Sequence, residues 1–357
     1  MSNDEMTVRD LCARIPGANA ATAAAARTRL DRLTKPTGSL GALEPLIVRL
    51  AAITGQLRPE FKQLAVLVAA GDHGVVAERV SAYPQAVTGQ MVLNFLRGGA
   101  AINALAANAG ARVIVVDAGV AANLPDHPGL RRASAGSGTR NLLRESAMTR
   151  SETAAAIVAG ARIAAAEIDA GLDLLALGEM GIGNTTAAAC LTSAFTGALP
   201  ELTTGRGAGL DDARLEHKRT IVAAAIRRAR PKPADPIGTL AELGGFEIAA
   251  LAGAALAAAA RRVPVVLDGY VTTSAALAAV ALAPNLRHSL IAAHRSAEPG
   301  HRVALEYLGL QPLLTLDMRL GEGSGAALAL PIILGAARLM RDMATFEQAG
   351  VDDKGTR

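Results

Sequence analysis

Five short apolar runs, each closed by glycine, aspartate or histidine, constrain this chain more than any other feature. They are QLAVLVAA (63–70), RVIVVDAG (112–119), LDLLALGE (172–179), VPVVLDGY (263–270) and LRHSLIAA (286–293). A continuous apolar run of this length has no polar face to turn toward water. As a strand it must be buried on both sides. Helix-like stretches fall between the runs, at 90–108, 151–170, 185–197, 211–229, 240–261 and 272–282. Strand alternating with helix predicts an α/β fold with a parallel sheet. Ligands of such sheets bind beyond the carboxyl ends of the strands. Gly71-Asp72-His73-Gly74, Asp117-Ala118-Gly119, the 178–183 glycine loop, Asp268-Gly269 and His294 all fall there.

The two chain ends read differently. The first 60 residues are helical, broken by KPTGSLGALEP (35–45), with no clear strand. After a strand-like LLTLDM (313–318), the chain from about 323 is again helical, and Pro331 is expected to break or kink it. These ends predict a small helical domain, 1–59 plus 321–357, beside a large α/β domain, 60–320.

Composition narrows the function. Of 357 residues, 51% are hydrophobic but only 2% aromatic, so the core must be aliphatic and its helices must pack closely through Ala and Gly. The net charge of +4 is small and its basic residues are scattered, without the stripe of a nucleic-acid binder. Such an excess suits an anionic small molecule. Two cysteines without a Cys-x-x-Cys, and no histidine pair at i, i+4, support neither a disulfide framework nor a metal site. MSNDEMTVRD has no apolar signal region, and the longest clean apolar stretch, 248–260, is short of the roughly 20 residues a bilayer needs. A soluble cytoplasmic protein is therefore expected, bound to no membrane.

Four stretches carry candidate chemistry. GEMGIGNTT (178–186) follows a strand and opens a helix. Gly181 and Gly183 let backbone N–H groups approach a ligand, Asn184 or Thr185 can cap the helix, and a phosphate suits such a helix start. Glu179 in that loop reads as a ligand for sugar hydroxyls or as a plain helix-start charge. GRGAGLDDARLEHKRTIV (205–222) offers Lys218 and Arg214 one turn apart as anion partners, though such charges usually form a solvated face, and Asp211-Asp212 reads best as an N-cap. In AGDHGVVAERVSAYPQAVTGQM (70–91), Tyr83 is able to flank a flat ring, and His73 reads first as a structural histidine. Last comes RLGEGSGAAL (319–328). Glu322 stands alone between Gly321 and Gly323. In an apolar pocket its pKa rises toward that of a general base; on a loop it is an ordinary exposed acid.

Together these stretches resemble the nicotinate-nucleotide–dimethylbenzimidazole phosphoribosyltransferase family. KPTGSLGALE (35–44), AGDHGVVAERVSAYPQAVTGQM (70–91), NFLRGGAAINALA (94–106), AMTR (147–150), GEMGIGNTTAAA (178–189), GRGAGLDD (205–212), LGGFEIAALAGA (243–254), LDGYVTTSAAL (267–277), AHRSAEPGH (293–301) and RLGEGSGAALALP (319–331) fall in family order along nearly the whole chain. The resemblance implies a Rossmann-like large domain with a small helical one from both ends, and a homodimer. It implies transfer of the phosphoribosyl group of nicotinate mononucleotide to 5,6-dimethylbenzimidazole, for the cobalamin lower ligand, with inversion and without a cofactor. Glu322 matches the catalytic base and Glu179 an assisting carboxylate. Gly181, Gly183, Asn184, Thr185 and Lys218 match the phosphate and ribose site. Tyr83, Gln90, Gly321 and Gly323 match the base pocket. Two rival readings stand beside this one: a nucleotide-binding sensor without turnover, and a magnesium-dependent transferase using a diphosphate donor.

Overall fold

A computed structural model of the chain describes residues 2–352; Met1 and residues 353–357, the outermost parts of the expected helical domain, lie outside the described residues. The strands are β1 (Leu64–Gly71), β2 (Arg112–Gly119), β3 (Leu130–Arg132), β4 (Leu174–Met180), β5 (Val265–Leu267), β6 (Leu290–Ala292), β7 (His294–Arg295) and β8 (Leu314–Thr315). The first six form one parallel sheet in the order β3-β2-β1-β4-β5-β6, and β7 pairs with β8. That is the doubly wound α/β order.

Successive side chains of the central strands enter two different cores. Ala65, Leu67, Ala69, Leu175 and Leu177 face one, and Leu64, Val66, Val68, Leu174 and Ala176 face the other. The pleat alternates side chains across the sheet, so both faces need helical cover. The helices are α1 (Asn3–Ala13), α2 (Ala20–Asp31), α3 (Leu43–Thr54), α4 (Val87–Leu96), α5 (Ala101–Asn108), α6 (Arg150–Asp169), α7 (Asn184–Thr196), α8 (Pro200–Thr203), α9 (Asp212–Ala229), α10 (Pro236–Leu243), α11 (Phe246–Ala260), α12 (Tyr270–Leu282), α13 (Pro299–Leu308), α14 (Ser324–Asp342) and α15 (Phe346–Ala349). One face is covered by α6, α7, α11 and α12, and the other by α3, α4, α5 and α14.

Several expected boundaries move. The 90–108 helix divides into α4 and α5 at Gly98-Gly99, and the 240–261 helix into α10 and α11 at Gly244-Gly245. At Gly245 a Cβ would stand 2.7 Å from Glu247 Oε2 and 2.9 Å from His73 Nε2, so buried side chains claim that space. The 286–293 run gives only the short β6, after a 3-10 turn over Pro284–Ser289. LLTLDM gives only the two residues of β8, and β3 has no apolar run to announce it.

The chain ends also differ in detail. Helices α2, α3 and α14 pack together, but α1 packs on α6 and α11, across the sheet from them. Val8 of α1 belongs to that other core. Pro331 does not break α14; its residue is exposed, so the missing N–H falls on the outer side of the helix. By length and composition α14 alone among the described residues is able to cross a bilayer. Its buried side, with Ala326, Leu330, Ile333 and Met340, is instead part of the core beneath the sheet.

The scarcity of aromatics has a structural counterpart in α6 and α11. Their backbones touch: a Cβ on Gly253 would stand 2.7 Å from the Ile157 carbonyl carbon, and one on Gly160 2.5 Å from that of Ala250. Gly160→Val is therefore expected to destabilise the protein by about 1–3 kcal/mol or more through overpacking. Gly335→Ala, in α14 with nothing within 4 Å of the new methyl, is expected to stabilise by about 0.5–1 kcal/mol. Urea denaturation of the two variants checks the opposite signs.

Candidate active site

The chain leaves β1 toward β2 on one side and later enters β4 on the other. A sheet that reverses its winding in this way opens a crevice beyond its carboxyl ends. A cavity of about 750 Å³ lies there, walled by the ends of β4 and β5, the start of α7, and the loops around 81, 207, 296 and 320. That volume suits a nucleotide-sized ligand.

One end of the cavity is acidic. Glu322 is 6% exposed and sits in a turn whose three residues, Gly321, Glu322 and Gly323, all have left-handed φ, at +83°, +65° and +90°. Glycine takes that conformation freely and glutamate does not. The turn is held to the sheet: Glu322 N–H donates to Glu179 C=O at 3.2 Å, and Gly178, without a Cβ, lets the Glu322 carbonyl rest against its Cα. The Glu322 carboxylate points toward the start of α5, where Ile102 N–H approaches Oε2 at 3.4 Å. Burial raises its pKa, the Ile102 N–H opposes the shift, and nearby Asp268 adds to it.

Glu179, at the end of β4, faces the same space. Asn184 Nδ2 donates to its Oε2. Burial, with Asp268, Glu247 and Glu322 adding to it against the Asn184 bond, pushes its carboxyl up to about 8. At neutral pH Glu179 holds its proton, which relieves repulsion between the two carboxyls.

The other end holds two cations and the carboxylate of Glu298. Lys218 of α9, 1% exposed, lies behind Thr185 and donates from Nζ to its Oγ1 at 2.7 Å. Burial pushes its ammonium down to about 8, with Glu298 opposing. An ammonium so poorly solvated gains more from an anion than one in water does. Arg319 adds a second cation, donating from Nη1 to Gly207 C=O at 2.9 Å. Arg214 is exposed and takes no part, and Asp211 caps α9, accepting from Arg214 N–H at 2.8 Å.

The structure thus gathers Glu179, Gly181, Gly183, Asn184, Thr185, Gly321 and Glu322 on one cavity wall, with Lys218 behind Thr185. Neither Asn184 nor Thr185 caps α7, whose N-cap is Gly183; their side chains serve Glu179 and Lys218 instead. Tyr83 lines the mouth at 52% exposure. Gln90 is exposed on α4 and does not line the cavity, whereas Val87 and Met91 of that helix do. Gly323 lies behind the wall, where a Cβ would stand 2.5 Å from Val66. Gly321 likewise leaves room for the Glu179 carboxylate, so these glycines fit protein against protein. His73 is fully buried, its Nε2 2.7 Å from Glu247 Oε1, as a structural pair. Among the described residues no cluster suited to a metal ion occurs.

Glu298 and Arg319 of the site escaped sequence reasoning, and Asp268 and His294 were marked only as strand ends. Asp268 and His294 close apolar runs, a signal shared with every other strand end. Glu298 precedes the proline that opens α13, and Arg319 stands three residues before Glu322. Neither position marks a ligand by itself.

The chain is similar to known proteins along nearly its whole length. A family model described as phosphoribosyltransferase matches residues 15–351. A Deinococcus radiodurans protein named nicotinate-nucleotide–dimethylbenzimidazole phosphoribosyltransferase is 55% identical, over 99% of this chain and 98% of its own. A Roseiflexus protein of the same name is 54% identical over 96% of this chain and 97% of its own. The crystal structure of CobT from Thermus thermophilus superposes with a TM-score of 0.90 at 53% identity, covering 93% of this chain and 99% of that one.

The buried Glu179 has a consequence for stability. Folded, it keeps its proton to about pH 8; unfolded, it loses it near 4.5. A carboxyl raised in this way stabilises the fold fully only below the lower value, and that contribution is lost as pH rises through the higher one. Glu179→Gln keeps an oxygen for Asn184 and carries no charge. It is expected to match the wild type in urea melts at pH 4.5 and to exceed it by up to a few kcal/mol at pH 9. An equal difference at both pH values would contradict the assignment.

Proposed function

The chain belongs to the nicotinate-nucleotide–dimethylbenzimidazole phosphoribosyltransferase family, and from that premise we propose how its cavity works. The reaction moves the 5-phosphoribosyl group of nicotinate mononucleotide to 5,6-dimethylbenzimidazole, giving α-ribazole 5′-phosphate and nicotinate, for the lower ligand of cobalamin. The observation that carries the mechanism is the arrangement of the cavity: two carboxyls, Glu179 and Glu322, at one end, and at the other Arg319, Glu298 and Thr185 with the buried Lys218 behind it.

Nicotinate mononucleotide has a cationic ring nitrogen and an anionic phosphate. Its phosphate is bound by Lys218, Thr185 and the Gly181–Gly183 loop. Its anomeric carbon then lies near Glu179 and Glu322. One ring nitrogen of the benzimidazole attacks that carbon from the face opposite nicotinate. The bond to nicotinate breaks with its electron pair going to the pyridinium nitrogen, which becomes neutral and needs no acid. Attack leaves a positive charge on the benzimidazole, whose second nitrogen carries a proton. Glu322 accepts that proton, and its raised basicity favours the transfer. Glu179, protonated at neutral pH, assists by hydrogen bonding without a second negative charge. Inversion gives the α linkage. No diphosphate leaves, so the chemistry calls for no magnesium. Tyr83 and the 321–322 backbone border the space for the flat base.

We further place the protein in the cytoplasm, a setting that suits its unpaired Cys12 and Cys190, and read its working form as a homodimer. An apolar groove lined by Leu43, Ile332, Leu339 and Met343 supports the dimer. Sedimentation is expected to give twice 36.3 kDa, and a monomer at working concentration contradicts it.

The protein incubated with nicotinate mononucleotide and dimethylbenzimidazole is expected to release nicotinate, unchanged by a chelator. Loss of activity with the chelator would favour a metal-dependent transferase, and binding without release a sensor. Glu322→Gln is expected to lower kcat about a hundred- to ten-thousand-fold with little change in the KM for nicotinate mononucleotide. Unchanged kcat in that variant would remove Glu322 from the base role.

A further inference from the structure

Helix α14 begins without a cap of its own. Its N-cap is Gly323, which is left-handed and has no side chain to accept from the first turn. The first-turn N–H groups of a helix need an acceptor, and a buried helix start needs one from the protein. Here it comes from 55 residues earlier in the chain: Asp268, just beyond β5 and 1% exposed, accepts from Gly323 N–H at 3.2 Å through Oδ2 and from Ala326 N–H at 2.9 Å through Oδ1. A carboxylate at that end also meets the positive pole of the helix.

Glu322 is the residue before the first of those capped amides. Its left-handed φ of +65° is unfavourable for a side chain with a Cβ and persists only where the surroundings hold it. Two contacts from other elements hold the turn, the Glu179 carbonyl on one side and Asp268 on the other, and Ser324 closes it from within by donating to Gly321 C=O. The charged neighbours are few. Glu322 and Glu179 face Asp268 from the turn and from β4, and His294 Nε2 on β7 lies 3.7 Å from Oδ1, outside hydrogen-bond reach. Glu247, paired with His73, acts on Glu179 from farther off. Burial pushes Asp268 up to about 7, against the pull of the Ala326, Gly325 and Gly323 amides.

We propose that Asp268 is a positioning residue for phosphoribosyl transfer: by capping α14 from the neighbouring strand it fixes the turn that aims the Glu322 carboxylate. The proposal rests on the base role of Glu322 given above. Asp268 touches neither substrate in this scheme and acts through Glu322 alone.

The test is a double-mutant cycle on nicotinate release. In the wild-type background Asp268→Asn is expected to lower kcat about a hundred-fold, the scale of a misplaced reacting group, with the KM for nicotinate mononucleotide within a few-fold. In the Glu322→Gln background the same substitution is expected to cost little more. Equal losses in both backgrounds, or a wild-type kcat in the Asp268→Asn variant, overturn the proposal. Failure of the base role itself shows separately, as a Glu322→Gln enzyme with wild-type kcat. If Asp268→Asn does not fold, hydrogen exchange in the wild type decides: Gly323 and Ala326 amides are expected to be strongly protected, and exchange at the rate of an unstructured peptide overturns the cap.

Discussion

The contact between the end of β4 and the turn at 321–323 governs much of this molecule. At Gly178 the sheet offers bare backbone, and a Cβ there would stand 2.6 Å from the Glu322 carbonyl carbon and 2.7 Å from Gly323 N. That closeness brings the last long helix onto the open end of the sheet and sets Glu322 beside Glu179. From there α14 runs down one face of the sheet, its Ala326, Leu330 and Ile333 filling the core that α3 and α5 share. Packing and chemistry meet in one turn. Whatever loosens the seat of α14 also displaces the carboxylate at its start.

The electrostatics follow from the same burial. Glu179, Glu298, Asp268 and Glu322 are all at most 9% exposed in or beside one cavity, and the buried Lys218 stands near Glu298 behind Thr185. So many acids in a poorly polarisable space cannot all remain charged without partners. The fold resolves this in two ways. Backbone amides donate to Asp268 and Glu298, the latter accepting from Gly207 N–H at 2.9 Å. Glu179 instead keeps a proton at neutral pH. The result is a cavity with Glu179 and Glu322 at one end and its two cations, Lys218 and Arg319, with Glu298 at the other.

Much of this was legible in the residues. The runs at 63–70, 112–119 and 172–179 became the three central strands because nothing but two-sided burial accommodates them. The short edge strands were less legible: β3 has two exposed arginines in three residues, since an edge needs little apolar surface. Glycine pairs divided two expected helices because many conformations are open to Gly-Gly in sequence, and only the packed neighbours choose among them. In the site, Thr185 and Glu322 lay in loops dense with glycine, and those loops do converge. Lys218 and Arg214 were equivalent by spacing; burial on α9 separated them. Gln90 was placed at the base pocket, but the face of α4 that lines the cavity carries Val87 and Met91.

By itself, then, the sequence determined the local grammar: buried strands ending in glycine and acid, helices between them, and a glycine-framed Glu322 with the family motifs around it. Periodicity and turn chemistry act over a few residues, and a single chain displays them in full. The tertiary structure alone decided which acids share a cavity, which cation is desolvated, and that the cap of α14 comes from Asp268. Those outcomes depend on atoms distant in sequence brought within hydrogen-bonding distance of one another. Burial, which sets the basicity of Glu179 and Glu322, is a property of the whole packed molecule and belongs to no single stretch of it.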